Sequence, residues 1–223
     1  MYDKIINLIG KEKFKKIQNT KILLVGVGGV GGFVFEGLIR SGFLNITIID
    51  KDKVEISNLN RQLVANLNNI SKSKVDIAKI KALEINENIK INAIFEYLDE
   101  NNINDLDNDF DYIIDACDSL NTKLELIKYS QKYNIKIISS MGMGNRIDAS
   151  NIEITKLNKT INDPLAKKLR KLVKDNHLKD NVTVVSDKSI PYKKGEVSSM
   201  ITSPGIAGLL IVNYIINDII NLS

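Results

Sequence analysis

The stretch Lys21–Gly32, "KILLVGVGGVGG", constrains this chain more than any other. An apolar run that stops at a glycine reads as a buried strand. Gly26, Gly28 and Gly31 then follow the spacing G-x-G-x-x-G, with Gly29 inside the same loop. Val30, Val34, Leu38 and Ser41 recur at helical spacing until Gly42 ends the pattern. A strand, a glycine turn and a helix open a nucleotide-binding α/β unit. Glycine permits the tight turn and close backbone approach, and the helix N-terminus offers free N–H groups and partial positive charge to a phosphate. The competing use of these glycines is packing of the helix on the sheet.

Further strands are read at 45–50, 89–95, 111–117 and 135–141, with helices at 11–18, 73–86 and 120–133. In 73–86, Val75, Ile77, Ile80 and Leu83 are expected to share the buried face. This alternation predicts crossover units: a Rossmann-like, doubly wound α/β fold with a mainly parallel sheet and helices on both faces. After residue 150 come a strand in "NIEITKL", a basic helix in "DPLAKKLRKLVKDN", a strand in "VTVVS" and a final helix over 205–220. Asp163 suits the cap of the basic helix and Pro164 its first turn. The expected organisation is one domain over 1–223, with an N-terminal helical arm (1–20) and a C-terminal half (151–223) on the substrate side.

With 223 residues there is ample chain for a buried core. The longest apolar run, "GIAGLLIVNYIINDII", is broken by Asn213, Asn217 and Asp218. It reads as a buried helix, since a membrane span needs about 20 apolar residues. Met1 leads into a charged helix rather than an apolar leader. One cysteine, Cys117, and one histidine, His177, form neither an internal disulfide nor a zinc cluster. A cytoplasmic location without membrane insertion is expected.

Asp50 ends the second strand, about 20 residues after the glycine loop, where an acid can bond ribose hydroxyls. That serves NAD and ATP alike. "DKDKVEISNLNRQ" separates them, because it places Asn58 and Arg61 just beyond that strand, with Lys74 opening the next helix. Phosphoryl chemistry needs cations where charge develops, and a nicotinamide pocket has no use for them here. Either cation alone is compatible with a solvated surface; with the loop and Asp50 they point to ATP. In "DACDS", Asp118 follows a strand end, where ligands bind in open α/β sheets. It suits Mg²⁺, or alternatively the cap of the next helix. Asp115 reads as a local structural acid.

"GVGGVGG", "IIDKDKVEISNLNRQ", "SKVDIAK" and "DACDS" together resemble the ubiquitin-activating superfamily, which includes the adenylyltransferases for molybdopterin and thiamine sulfur carriers. The resemblance covers roughly residues 5–145. It implies an ATP-binding, adenylyltransferase-like domain. Asp50 would bind ribose, Asp52 would lie beside the nucleotide, and Ser57, Asn58, Arg61 and Lys74 would contact phosphates. Asp118 would serve Mg²⁺ and the α-phosphate, with Gln62 and Ser119 completing the nucleotide set. "MGMGNRIDASNIEITKLNKTINDPLAKKLRKLVK" and "PGIAGLLIVNYII" resemble the branch that dehydrates threonylcarbamoyladenosine in transfer RNA. That implies a tRNA substrate, a homodimer and a sulfur-relay partner. Lys4 stands nearest to where many relatives carry an N-terminal arginine. Cys117 occupies a strand end where aliphatic residues are usual, and Thr183 lies where some relatives place a thiol.

The chemistry implied is adenylation of the substrate carboxylate, with Arg61, Lys74 and Asp118 as catalytic residues, then ring closure by the substrate's own urea group. No enzyme nucleophile is required. The runner-up is adenylation of the C-terminus of a ubiquitin-like sulfur carrier, which would want a broad apolar groove. An NAD-dependent oxidoreductase and a non-catalytic nucleotide scaffold are the remaining classes. Between Lys159 and Asp180, seven basic residues face three acidic ones. Leu165, Leu169, Leu172 and Val173 are expected to pack inward, leaving Lys167, Lys168, Lys171 and Lys174 for tRNA phosphates. The alternative surface is Lys188, Lys193 and Lys194.

Overall fold

A computed structural model describes residues 1–192 and 195–221, so Lys193 and Lys194 lie outside the described residues. Seven strands form one sheet: β1 (Lys21–Val25), β2 (Asn45–Ile49), β3 (Lys90–Ile94), β4 (Tyr112–Asp115), β5 (Lys136–Ser140), β6 (Ile152–Lys156) and β7 (Thr183–Asp187). Their order is β3-β2-β1-β4-β5-β7-β6. All neighbours run parallel except β6, which is antiparallel to β7. The helices are α1 (Asp3–Ile9), α2 (Lys11–Asn19), α3 (Gly29–Ser41), α4 (Lys74–Ile85), α5 (Leu120–Tyr133), α6 (Pro164–Asp175) and α7 (Thr202–Asn221).

Side chains alternate across the sheet, and the core divides accordingly. Ile22, Leu24 and Ile114 pack on one face with Val34, Leu38 and Ile215. Leu23, Val25 and Ile113 pack on the other with Leu126 and Tyr129. Central strands covered on both faces explain the unbroken apolar runs. Register sets the rim of the sheet. Val25 lies level with Ile49 and Asp115, and Asp115 with Ser139. The chain therefore leaves β1, β2, β4 and β5 at one height, where order reversal between β1 and β4 opens a crevice.

Three readings change. The arm holds an extra helix, α1, before the predicted one. Helix α4 buries Val75, Ala78 and Ala82, whereas Ile80 and Leu83 are exposed. The 75/78/82 stripe wins because its alanines allow close packing and because it turns Lys74 inward. Helix α7 begins at Thr202, earlier than expected. It is long and apolar enough to cross a membrane. Its Ala207, Ile211 and Ile215 are nevertheless fully buried, and it lies mainly against α3. Gly208 makes that crossing close: a Cβ there would sit 2.7 Å from the Val30 carbonyl oxygen.

Candidate active site

The crevice above the strand ends has a volume of about 830 Å³. Gly26 has φ 92°, and a Cβ there would lie 2.7 Å from the Ala116 carbonyl oxygen, so both turn and clearance require glycine. Gly28 and Gly29 line the crevice at the start of α3. Gly31 does not. A Cβ on it would fall 1.8 Å from the Gly26 carbonyl oxygen, so it is the packing glycine of the motif rather than a ligand contact.

Asp50 is held to the loop it serves. One carboxylate oxygen accepts from the Val27 N–H at 2.6 Å and the other from the Asp52 N–H at 2.8 Å. Burial raises its carboxyl above the usual range, against the pull of those amides and of Lys74. Lys74 is 4% exposed, and its Nζ donates to the half-exposed Asp52 at 3.0 Å. Arg61 donates to the Ser57 carbonyl at 2.8 Å and to Asn60 at 2.9 Å. Ser57, Arg61, Gln62, Lys74, Asp50 and Asp52 all line the crevice. The Gln62 Oε1 is buried without a partner among the described residues, a polar atom left for a ligand or water. Asn58 does not reach the crevice. Its buried carboxamide accepts from the Glu55 N–H and closes a short helical turn that positions its neighbours.

Beyond β4, Ser119 caps α5 by accepting from the Thr122 N–H. Asp118 is thereby released from the capping role, and its exposed carboxylate lines the crevice with no protein partner among the described residues. No group of three His, Cys, Asp or Glu side chains gathers among the described residues. A single free carboxylate still fits Mg²⁺ brought in on nucleotide phosphates, the usual mode for that ion.

Cys117 is a poor nucleophile. Burial first, then the charge of Asp115, pushes its thiol well above the ordinary range. Asp115 itself is fully buried. It pairs with the equally buried Lys123, whose Nζ lies 3.0 Å from both carboxylate oxygens and 2.7 Å from the Ser140 carbonyl. Ser139 Oγ also donates to Asp115. This clamp joins β4 to β5 beneath the crevice. Lys123 was not legible in advance, because α5 is buried nearly all round and carries no amphipathic stripe.

Sequence reasoning also missed the far lobe of the crevice. Met141–Arg146 form one wall, with Asp163–Leu165 and Val197–Ser199 around them. Asn145 stitches two of these segments: its N–H donates to the Ser198 carbonyl at 2.7 Å, and its Oδ1 accepts from the Ser198 N–H at 2.9 Å. Arg146, 3% exposed, donates to Ser189 and to the Asn162 carbonyl, and lies 3.7 Å from Asp187. Tyr97 was likewise unforeseen. Its hydroxyl meets Ser119 Oγ at 2.9 Å, and the Lys51 ammonium lies 4.8 Å from its ring centre.

One crevice thus brings together a glycine loop, Asp50, the two cations Arg61 and Lys74, and the exposed carboxylate of Asp118. The ThiF family profile matches residues 2–221. The chain belongs to the ThiF family. Within it, the chain is 35% identical to the tRNA threonylcarbamoyladenosine dehydratase of Bacillus subtilis, over 95% of this chain and 91% of that protein. It is 30% identical to the molybdopterin-synthase adenylyltransferase of Haemophilus influenzae, over 78% of this chain and 69% of that one. The solved E. coli tRNA N6-threonylcarbamoyladenosine dehydratase in complex with AMP superposes with a TM-score of 0.93 at 28% identity, covering 98% of this chain and 93% of that one. The same enzyme with ATP gives 0.92 at 28% identity, over 99% and 93%. The ThiF fold of this chain is thus the mainly parallel, Rossmann-like sheet expected from its glycine loop.

Proposed function

We infer that this ThiF-family chain is an ATP-dependent tRNA threonylcarbamoyladenosine dehydratase. The observation that carries the reading is the match of both lobes, over nearly the whole chain, to dehydratases of that name. ATP lies along the glycine loop with its ribose at Asp50. Arg61 and Lys74 face the phosphates; Asp118, Ser119 and Gln62 close the border with the far lobe, which takes the acceptor. Mg²⁺ held at Asp118 would neutralise phosphate charge.

The substrate carboxylate oxygen attacks the α-phosphorus, and the bond to pyrophosphate breaks. Arg61 and Lys74 stabilise the separating charge. The urea group of the same substrate then attacks the acyl carbon, and AMP leaves with one carboxylate oxygen. The substrate loses one water in balance. The second nucleophile is already attached, an arrangement worth effective molarities on the order of 10⁵ M or more. No enzyme thiolate is needed, in keeping with the buried Cys117.

The C-terminal half is the substrate side of a single domain. The functional unit is a cytoplasmic homodimer, assisted by a sulfur-relay protein. Exposed Met200 and Ile201 just before α7, with Ile206 and Leu209 on its first turns, supply an apolar face for the second copy. Purified protein incubated with ATP, Mg²⁺ and tRNA carrying the threonylcarbamoyl group should release AMP, and mass spectrometry should find the nucleoside lighter by one water. AMP released only with a sulfur-carrier protein, or binding of NAD without response to ATP, overturns the reading.

A further inference from the structure

We propose that α6 is the RNA-docking element. Its first turn walls the acceptor lobe, and Lys167, Lys168, Lys171 and Lys174 carry the phosphates flanking the bound nucleoside. The proposal rests on the reading that the substrate is tRNA, and it assigns the surface that holds it.

The start of α6 is fastened to the crevice. Asp163 accepts from the Ala166 N–H at 2.9 Å and from the Gly142 N–H at 3.0 Å, so one carboxylate ties the helix to the lobe floor. Leu165, expected to pack inward, instead lines the crevice. Ala166, Leu169 and Val173 are fully buried in the cluster they share with α5 residues, which fixes the helix about its axis. Arg170 is spent below, on the Leu157 and Thr160 carbonyls at 3.3 and 3.0 Å.

What remains outward is four exposed lysines, none in an ion pair among the described residues. Lys167 and Lys171 stand four apart, Lys168 and Lys171 three apart, and like charges at these spacings repel. Lys188, on the alternative surface, is by contrast paired with Glu153 at 3.5 Å. An unneutralised row about 10 Å long at 1.5 Å per residue, leading from the mouth of the site, matches a polyanion whose reactive base is splayed into a pocket. Phosphate contacts of this kind position without reading sequence.

The test is the triple variant K167E/K171E/K174E, compared with K11E/K15E/K79E, which makes the same charge change on other surfaces. Turnover is measured with modified tRNA and with the free modified nucleoside, and tRNA binding is titrated against salt. The α6 variant should raise the KM for tRNA on the order of tenfold or more and flatten the log–log salt slope by about 2, since each single-strand phosphate contact contributes about 0.7. Conversion of the free nucleoside, ATP affinity and melting temperature should be unchanged. An unaltered KM and salt slope, or an equal effect in the comparison variant, overturns the proposal. Absence of turnover by the unmodified protein with any tRNA would instead strike the dehydratase reading, and the binding titration would still judge α6.

Discussion

Asp118 divides the crevice into two regions built by different means. On the nucleotide side, Gly26, Asp50 and Ala116 follow directly on strands whose register makes them level. On the acceptor side, segments distant in sequence are stitched by Asn145 to Ser198, Asn145 to Tyr192 and Arg146 to Ser189. The first region is fixed by the sheet; the second is fixed by hydrogen bonds that could be rewritten while the sheet stays the same. Such a division lets the first region stay constant while the choice of acceptor is placed in loops.

The strongest way to break that division is to remove a group that acts only on phosphate. R61A and D118A should each lower AMP formation about 10²–10³-fold, the usual loss for one transition-state contact, while folding persists. The loss should be the same with tRNA and with free nucleoside. A variant that changes only the KM for tRNA would show that the two sides are not separate.

Next in size is the clamp below the border. K123M leaves the Asp115 carboxylate buried without its cation, which should cost about 3–5 kcal/mol in a denaturant titration. R146M on the acceptor side should cost less. Arg146 stands farther from its acid, and Asp187 keeps the Ser189 N–H at 2.8 Å and the Ser189 hydroxyl at 2.6 Å. Equal losses would make the two regions equally dependent on buried charge.

The same contrast explains what could be read in advance. The strands, the glycine turn and the crevice positions of Asp50 and Asp118 were legible because each sits within a few residues of a strand end, so local pattern carries tertiary position; Arg61 and Lys74 lie far beyond β2, and only the motifs around them placed them at the crevice. Gly31 and Asn58 were read as ligand contacts because a motif does not say which member packs and which binds. Lys123 and the Met141–Arg146 wall were invisible. Their partners lie in other segments, and no periodicity encodes a stitch between loops. The α4 face was misread because isoleucine and leucine outweighed alanine, although close packing favoured the smaller side chain.

Glycine substitutions sharpen the comparison further. In G31A the new Cβ meets a backbone carbonyl at 1.8 Å, so the nucleotide turn must move, and ATP affinity and melting temperature should fall together. In G144A it meets the end of the Val197 side chain at 2.4 Å, which can rotate away. That variant should fold normally, keep its ATP affinity and change only the KM for tRNA. Loss of ATP binding in G144A would couple the regions.

A smaller effect is expected from pH. A carboxylate that accepts from ribose hydroxyls binds best when ionised, so affinity falls as pH drops through its pKa. Burial raises Asp50, and the fall should begin at a higher pH than for an ordinary aspartate. D50N should bind ATP more weakly near neutrality and lack this acidic limb, as read by calorimetry. An identical limb in D50N would assign it to another group.

The smallest effect is expected where the regions meet. Cys117 lines the crevice beside Asp118, so its position alone would suit a covalent step. Its chemistry argues otherwise: burial and the neighbouring Asp115 both disfavour the thiolate, and its Sγ lies 3.1 Å from an Asp115 oxygen as a donor. C117A removes that donor, but Asp115 keeps Lys123, Ser139 and the residue-117 N–H. The alanine should therefore retain most of the dehydration rate with both substrates, with at most a modest loss of melting temperature. If C117A folds normally but releases AMP without dehydrating the nucleoside, a thiol acts after adenylation, and acceptor chemistry would then extend across Asp118 into the region assigned here to the nucleotide.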